Sequence, residues 1–483
     1  MTRAILRFLF VASCGARSTV SMTAACPGCN VVLVSIDTLR ADELGAYGSR
    51  RGATPNLDAL ARRGAVFLDA FSHVPDTLPS DVSLFTSQYP WTHGVSESGR
   101  DGLKRGTRTL ASVLREYGYR TVWAGTTDPY NGYRALHDGF DEAVAPRYWK
   151  HDWSGAFSWL EERHDAPFFM FLHTWSAQSP YTPADAAARR FLPALDPEKS
   201  ISFEALEREA AARVSRSPQR VFSPAVIAAH PEIFADASRP PNWSALAALL
   251  DAGGSGGAKH LSSWKVLDKI YWDRFDLDRA RDRAYVRALY DASVYEADEA
   301  LGELLRQLGR RGLLERTLIV VTSDHGEAFG EHGTWRHGHG GNVHVEALKV
   351  PLIFAFPGAR LSVRSSAVVQ SIDVMPTVLQ AVGAAPPASM QGVSLMPIIA
   401  GGRMDSGGAA FAAWRGNYAV RDRHYACLLR EECPSSAAAP EKRCLSLLLY
   451  DRRADPGETR DIRRRSPQTA EKYEDILLRR LAE

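Results

Sequence analysis

The chain has 483 residues, of which 45% are hydrophobic, 24% charged and 10% aromatic, and its formal net charge is +2. This composition excludes collagen-like, wholly disordered and disulfide-scaffold proteins. Because the charge gives no general attraction for nucleic acid, we expect no nucleic-acid partner.

Residues 1–29 predict a leader and a linker. Met1–Arg7 is short and basic, and Val11–Cys14 resembles a bacterial lipobox that ends at a lipidated cysteine. The apolar core is shorter than the ~7–15 residues typical of signal peptides. We expect an exported protein, periplasmic or at the cell surface, with a membrane tether through Cys14. If translation instead starts at Met22, the protein is cytoplasmic.

The other cysteines give two expectations. The motif Cys26–Cys29 is a lone C-x-x-C without a second pair or histidines at zinc spacing, which indicates a linker feature more than a metal or redox site. Cys427, Cys433 and Cys444 lie close together in the sequence. A disulfide between two of them would suit an exported protein.

Predicted strands alternate with predicted helices along the chain. Apolar, β-branched runs predict strands buried on both faces of a parallel sheet, and these runs are Asn30–Ile36, Arg120–Ala124, Pro167–His173, Arg316–Thr322 and Val350–Phe356. Helices are predicted at Pro55–Gly64, Arg108–Tyr117 and Arg283–Gly309. The sequence therefore predicts an α/β fold with a doubly wound, mainly parallel central sheet flanked by helices.

The pattern also predicts a division of the chain. The main domain spans residues 30–370, and short strands and turns over residues 371–483 predict a smaller C-terminal α+β subdomain. Between about residues 182 and 282 the pattern weakens and includes a glycine-rich stretch. This segment is predicted to be an insertion with a flexible loop near the mouth of the site.

Two of the clearest strands end in residue types that bind metals. Asp37 follows the first strand, and Asp324 and His325 follow a later one. Functional groups cluster outside the carboxyl ends of parallel strands, so these side chains predict a site for one divalent cation. A lone aspartate after a strand could equally cap a helix, but adjacent Asp and His make an inferior cap. Oxygen-rich ligation favours Ca²⁺ or Mn²⁺, and Mg²⁺ or Zn²⁺ also fit.

The segment Asp76–Asp81 supplies a candidate nucleophile. Pro79 suits the first position of a helix, so Thr77 is predicted just before a helix N-terminus, which favours an oxyanion. Thr77 could simply cap the helix. The sharper hypothesis is a metal-bound alkoxide nucleophile, because a threonine hydroxyl is too weakly acidic without a cation.

Several motifs occur in a fixed order along the chain. They are Asn30–Gly48, Ala53–Ala61, Thr77–Ser80, Tyr89–Gly94, Tyr117–Arg120, Thr322–Gly333, Val350–Ile353 and Ile372–Thr377. Together they resemble the sulfatase family of the alkaline phosphatase-like superfamily. The resemblance implies one catalytic divalent metal, with Asp37, Asp324, His325 and Thr77 at ligand positions. It also implies hydrolysis or transfer at sulfate or phosphate esters.

The chain departs from the family pattern at several positions. Thr77 stands where sulfatases carry the cysteine or serine that becomes formylglycine, so no formylglycine can form. Phosphoryl-group transferases of the superfamily use threonine there as a direct nucleophile. Thr38 replaces the usual second aspartate, 125–128 lacks the family's lysine and histidine, and Gln178 stands where a substrate histidine is usual.

Asp81 stands where an arginine normally follows Pro-Ser. If its carboxylate points into the site, singly charged diesters are favoured over dianionic monoesters, or a second cation is needed. If the carboxylate only stabilises the helix N-terminus, it has no effect on the choice of substrate. Ser80, Gln178 and His339 are further candidates for substrate contact, and His337 is the candidate general acid for the leaving oxygen.

The sequence therefore predicts a metal-dependent hydrolase of the sulfatase family. Its substrate would be a sulfuric or phosphoric ester of a small molecule, glycan or lipid, and Thr77 would be the nucleophile. Two alternatives stay open: a phospho-group transferase of the same superfamily, and a catalytically degenerate, sulfatase-like binding protein.

Overall fold

The computed structural model describes residues 25–95, 102–125, 136–137, 139–144, 153–162, 166–200, 202–220, 222, 224–234, 246, 263–336, 341–402, 408–431 and 445–482. The predictions for Cys14, Cys433, Cys444, His337 and His339 lie outside these residues, as does the glycine-rich loop.

Within the described residues, a nine-stranded sheet forms the centre of the molecule. Its strands are β1 (Asn30–Ile36), β2 (Ala65–Phe71), β3 (Arg120–Gly125), β4 (Glu142–Val144), β5 (Phe168–Thr174), β6 (Thr317–Thr322), β7 (Lys349–Val350), β8 (Leu352–Ala355) and β9 (Val363–Gln370). The spatial order is β4-β3-β5-β1-β6-β8-β2-β7, and β9 pairs with β2. Strands β3, β4, β5, β1 and β6 run parallel, whereas β8 is antiparallel to β6 and β2. The predicted α/β fold is confirmed.

The central strands are buried on both faces. In β1, Val32 and Val34 enter one hydrophobic core, while Val31 and Leu33 enter the other. Strands β5 and β6 alternate between the same two cores. Burial on both faces explains why these strands are continuous apolar runs in the sequence.

Helices cover both faces of the sheet. They are α1 (Pro55–Ala61), α2 (Thr77–Thr86), α3 (Pro90–His93), α4 (Leu110–Glu116), α5 (Ser154–Glu161), α6 (Asp185–Phe191), α7 (Phe203–Arg216), α8 (Pro224–Ala229), α9 (Pro231–Phe234), α10 (Ser263–Trp272), α11 (Ala280–Arg310), α12 (Val345–Leu348), α13 (Val374–Val382), α14 (Met396–Ile399) and α15 (Pro467–Ala482). The insertion contributes α6 to α10, and its residues Leu206 and Leu267 join the core on one face of the sheet.

A second, antiparallel sheet lies in the C-terminal region. Among the described residues it has four strands in sequential order, which are β10 (Ala410–Trp414), β11 (Asn417–Arg421), β12 (Tyr425–Glu431) and β13 (Leu445–Asp451). Helix α15 packs on this sheet through Leu477, which shares a core with Leu429. Helix α13 packs on the main sheet instead, since Val378 shares a core with Phe171. The division of the chain at residue 371 stays a prediction.

Cys26 and Cys29 form a disulfide directly before β1. The sequence did not predict this disulfide, and the interpretation of the motif as a linker feature stays a prediction. Cys427 is a buried free thiol on β12, so it does not take part in the disulfide predicted near the C-terminus. In the described part of the chain, no helix has the length and apolar character needed to cross a membrane.

Candidate metal centre and active site

Two neighbouring parallel strands deliver the acidic side chains to one edge of the main sheet. In the β1–β6 pair, Ser35 lies opposite Thr322, so both strands end at the same level. Asp37 follows the end of β1, and Asp324 follows the end of β6. The Asp37 backbone N–H donates a 2.9 Å hydrogen bond to the Thr174 carbonyl at the end of β5.

Asp37, Asp324 and His325 converge on one point. Each offers a ligand atom, these atoms lie within 4.8 Å of one another, and all three residues are buried. His325 Nε2 is 3.7 Å from Asp37 Oδ1 and 3.5 Å from Asp324 Oδ2. His325 Nδ1 is 2.9 Å from the Gly326 carbonyl. Because that carbonyl can only accept, we assign the proton to Nδ1, which turns the Nε2 lone pair toward the carboxylates.

The chemistry of this donor set fits a divalent cation. Asp37 Oδ1 and Asp324 Oδ2 are buried and accept no hydrogen bond from the described residues. A buried carboxylate oxygen without a partner is costly unless a cation compensates it. Burial and the adjacent Asp324 raise the pKa of Asp37 well above its usual range. Burial also opposes ionisation of Asp324, but His325 and His173 outweigh it and lower its pKa.

Thr77 lies beside this group. Its hydroxyl donates to Asp37 Oδ2 over 3.3 Å and is 3.4 Å from His325 Nε2. Helix α2 begins at Thr77, with Asp76 as its N-cap residue. The predicted start at Pro79 is therefore wrong by two residues. Proline is tolerated at the third position because the first four backbone N–H groups of a helix have no intrahelical partner.

Polar residues around the ligands fix their orientation. Thr38 has a left-handed backbone (φ 59°), and its N–H donates to Asp324 Oδ1 over 3.2 Å. The Thr38 hydroxyl donates to the Ala177 carbonyl over 2.7 Å. Ser323 Oγ donates to the His325 carbonyl over 2.6 Å. Thr38, which replaces the usual second aspartate, thus helps to hold the turn that carries Asp37.

The predicted substrate contacts have different surroundings. The Ser80 hydroxyl donates to the Val74 carbonyl over 2.8 Å, which supports the turn before α2. Asp81 is buried, and its Oδ2 is 3.9 Å from His173 Nε2. Gln178 is also buried. The substrate roles of Ser80, Asp81 and Gln178 stay predictions.

The sequence interpretation missed two residues near the site. His173 is the penultimate residue of β5, beside β1, and burial lowers its pKa to about 4. The strand-end argument that found Asp37 applies equally to His173. Asp268 on α10 contacts Ser179 Oγ, and its Oδ2 is 2.6 Å from Arg336 Nη1. These partners precede and follow the insertion in sequence, so no local pattern identifies Asp268.

The central sheet, with acidic and imidazole side chains at the ends of its parallel strands, defines an α/β protein with a candidate cation site at its sheet edge. The family model "Sulfatase" matches residues 29–384. A second model, "N-sulphoglucosamine sulphohydrolase, C-terminal", matches residues 330–482. The chain belongs to the sulfatase family.

Individual relatives agree with this assignment. Arylsulfatase K of Homo sapiens is 24% identical in an alignment of 403 residues that covers 76% of this chain and 66% of the relative. The chain therefore spans slightly less than two thirds of that protein's length. N-acetylglucosamine-6-O-sulfatase of Bacteroides thetaiotaomicron is 25% identical over 80% of this chain and 72% of the relative. The crystal structure of phosphonate monoester hydrolase of Agrobacterium radiobacter has a similar fold, with a TM-score of 0.66 and 22% identity over 93% of this chain and 95% of that one.

Proposed function

We propose that the protein is a metal-dependent hydrolase of sulfuric or phosphoric esters in which Thr77 is the nucleophile. The observation that carries this proposal is the position of the Thr77 hydroxyl. It lies at the N-terminus of α2, within 3.3 Å of Asp37 and 3.4 Å of His325. Threonine cannot form formylglycine, so direct attack by its hydroxyl is the chemistry open to this side chain.

Asp37, Asp324 and His325 would hold the cation, with Thr77 beside them. The oxygen-rich donor set favours Ca²⁺ or Mn²⁺ over softer metals. When bound, a divalent cation would lower the pKa of the Thr77 hydroxyl and neutralise charge on the ester oxygens. The backbone N–H groups at the start of α2 would orient the same oxygens.

The proposed reaction has two steps. Thr77 Oγ1 loses its proton and bonds to the sulfur or phosphorus atom, the bond to the leaving oxygen breaks, and the leaving oxygen takes up a proton to give the alcohol. Water then cleaves the Thr77 ester, which restores the hydroxyl and releases sulfate or the phosphorus acid. Asp37 Oδ2 already accepts the hydroxyl proton of Thr77 in a hydrogen bond and so orients the attacking oxygen. His337 stays our candidate for protonation of the leaving group.

The names of the relatives support two classes of substrate. One relative is an N-acetylglucosamine-6-O-sulfatase, and one structural neighbour is a phosphonate monoester hydrolase. We therefore propose a glycan or other small-molecule ester of sulfuric acid or of a phosphorus acid.

We further propose export with lipid attachment at Cys14, on the basis of the leader sequence. Cell fractionation of wild type and Cys14→Ser tests this, and an unchanged soluble, cytoplasmic distribution of both would contradict it.

A substrate screen with metal add-back tests the proposed activity. Metal-stripped protein receives Ca²⁺, Mn²⁺, Mg²⁺ or Zn²⁺ and is assayed on aryl sulfates, phosphates, phosphodiesters and phosphonates. We expect cation-dependent turnover that falls by about 10³-fold or more in Thr77→Ala. Full activity of Thr77→Ala on every cleaved ester would refute the nucleophile. Absence of both turnover and stoichiometric cation would favour a degenerate binding protein, and transfer to an added acceptor alcohol would favour a transferase.

A further inference from the structure

Asp81 lies one helical turn from the proposed nucleophile and on the same face of α2. Because α2 begins at Thr77, Asp81 is the fifth residue of the helix, and positions i and i+4 are neighbours on a helix surface. The first turn of α2 contains no acidic residue. The favourable effect of an acid on the helix dipole falls off within the first turn, so it does not account for Asp81.

The surroundings of Asp81 place its carboxylate at the sheet edge that carries the site. The side chain is fully buried, and its Oδ2 is 3.9 Å from His173 Nε2. His173 pairs with Ser35 of β1, two positions before Asp37. Asp81 also lies one turn along α2 from Thr77, whose hydroxyl donates a hydrogen bond to Asp37. Asp81 is therefore a third carboxylate at the same edge as Asp37 and Asp324.

Three carboxylates give this edge more negative charge than one divalent cation balances. Each additional negative charge on a bound ester must therefore be accommodated close to the Asp81 carboxylate. The cost is large where water is excluded, and Asp37, Asp81 and Asp324 are all buried.

We propose that Asp81 makes the site selective for esters whose transferred group carries a single negative charge. These are sulfate monoesters, phosphodiesters and phosphonate monoesters, and they would be preferred over dianionic phosphate monoesters. The inference rests on the proposed function and names its substrate class. At about 6 Å and an effective dielectric near 20, one unit of charge corresponds to on the order of 100-fold in a ratio of binding constants.

The test compares four esters with the same nitrophenyl leaving group in wild type, Asp81→Asn and the charge-retaining Asp81→Glu. The monoanions are 4-nitrophenyl sulfate, bis(4-nitrophenyl) phosphate and 4-nitrophenyl phenylphosphonate, and the dianion is 4-nitrophenyl phosphate. For Asp81→Asn we expect kcat/KM for the dianion, relative to the monoanions, to rise on the order of 100-fold. Asp81→Glu and the exposed control Asp185→Asn should leave the ratio close to that of wild type. A uniform loss on all four esters would assign Asp81 a structural role and overturn the proposal.

An affinity measurement separates this inference from the proposed chemistry. Calorimetry on Thr77→Ala gives Kd for 4-nitrophenyl sulfate and 4-nitrophenyl phosphate without cleavage, and Thr77→Ala combined with Asp81→Asn gives the comparison. If wild type cleaves none of the four esters, the hydrolase proposal fails, but the affinity ratio still tests Asp81. Should Asp81→Asn fail to fold, the Thr77→Ala ratio decides alone. Equal affinity for the monoanion and the dianion would refute charge selection.

Discussion

The Thr77 hydroxyl donates a 3.3 Å hydrogen bond to Asp37 Oδ2, which ties the first residue of α2 to the residue that follows β1. The other oxygen of this carboxylate, Oδ1, accepts no hydrogen bond from the described part of the chain and is 3.7 Å from His325 Nε2. Asp37 thus divides its two oxygens between the proposed nucleophile and the candidate cation.

Asp37→Asn should remove cation binding without destabilising the cation-free protein. Burial and Asp324 both disfavour the charge on Asp37, so the neutral amide relieves repulsion in the absence of a cation. We expect Tm in the presence of a chelator to be equal to or higher than that of wild type, while the increase on adding Ca²⁺ or Mn²⁺ is lost. Thermal unfolding with and without each cation measures both effects. A full cation-induced increase in Asp37→Asn would contradict the assigned ligand set, and the exposed Asp185→Asn is the control.

The strands that could be predicted from the sequence are those whose residues are buried on both faces of the main sheet. Strands β1 and β6 are such apolar runs, and their shared edge predicted that Asp37 and Asp324 would meet. Strand β2 was not predicted because it carries Asp69, whose charge suggests a loop but pairs with Arg452 across 383 positions of sequence. Strand β9 was not predicted because its first half is largely exposed and polar. In both strands, the contacts that stabilise the strand come from residues far away in the sequence, so a local pattern does not identify them.

The insertion contributes to the site through contacts that the sequence does not reveal. Asp268 of α10 holds Arg336 by an ion pair of 2.6 Å and also contacts the Ser179 hydroxyl. The Arg336 guanidinium also lies 4.7 Å from the ring centroid of Trp272, which is on α10 like Asp268. Asp268 therefore joins the residue after Gln178 to the residue before the predicted general acid. The position of the insertion near the mouth of the site stays a prediction.

Asp268→Ala should impair catalysis more than it impairs folding. Loss of the carboxylate frees Ser179 and Arg336 from each other, and small displacements of groups that position a substrate can cost about 10–100-fold in rate. We expect kcat/KM to fall by about tenfold or more, with a decrease in unfolding free energy of about 1–3 kcal/mol. Steady-state kinetics and urea unfolding measure the two effects. Asp273→Ala, at the exposed residue directly after the same helix, is the matched control, and an equal loss in both variants would contradict the prediction.

Two stacked histidines, the partly buried His332 and the buried His344, connect the loop that follows Asp324 to the C-terminal region. The imidazoles of His332 and His344 stack with ring centroids 3.6 Å apart. His332 Nδ1 is 3.0 Å from Glu346 Oε1, and its Nε2 is 2.8 Å from the Glu458 carbonyl. Burial opposes protonation of His332, but Glu346 and Glu458 outweigh it and raise its pKa. Burial likewise opposes ionisation of Glu346, but the hydrogen bond with His332 lowers its pKa.

These shifts predict how the His332–Glu346 pair contributes to stability as pH changes. A raised histidine pKa gives stability that is complete below about pH 6.5 and is lost as pH rises through the folded-state value. A lowered glutamate pKa gives stability that is complete above about pH 4.5 and is lost as pH falls. The contribution is therefore largest between these values and declines toward pH 8.

The pH profile of His332→Asn tests this prediction. We expect the stability difference between wild type and His332→Asn to shrink between pH 6.5 and pH 8, as measured by urea unfolding at each pH. Burial and the charge of His332 both lower the pKa of His344, so His344 titrates below the range that is tested. The change in the stability difference above pH 6.5 therefore reports on His332. A stability difference that is constant or grows above pH 6.5 would rule out the ion pair as its source.

In the C-terminal region, we expect the free energy of unfolding to depend most strongly on the charge of Glu458. Arg421 donates two hydrogen bonds to its carboxylate, of 2.6 Å and 2.7 Å, and both side chains are buried. Glu458→Gln leaves the Arg421 guanidinium buried without its counter-charge, which typically costs about 3–5 kcal/mol. Urea unfolding should show a loss of that size, whereas Glu471→Gln on the exposed face of α15 should change stability by less than about 0.5 kcal/mol. A loss in Glu458→Gln no larger than in Glu471→Gln would mean that the guanidinium finds another partner or water, and that this buried pair does not hold β11 to the segment between β13 and α15.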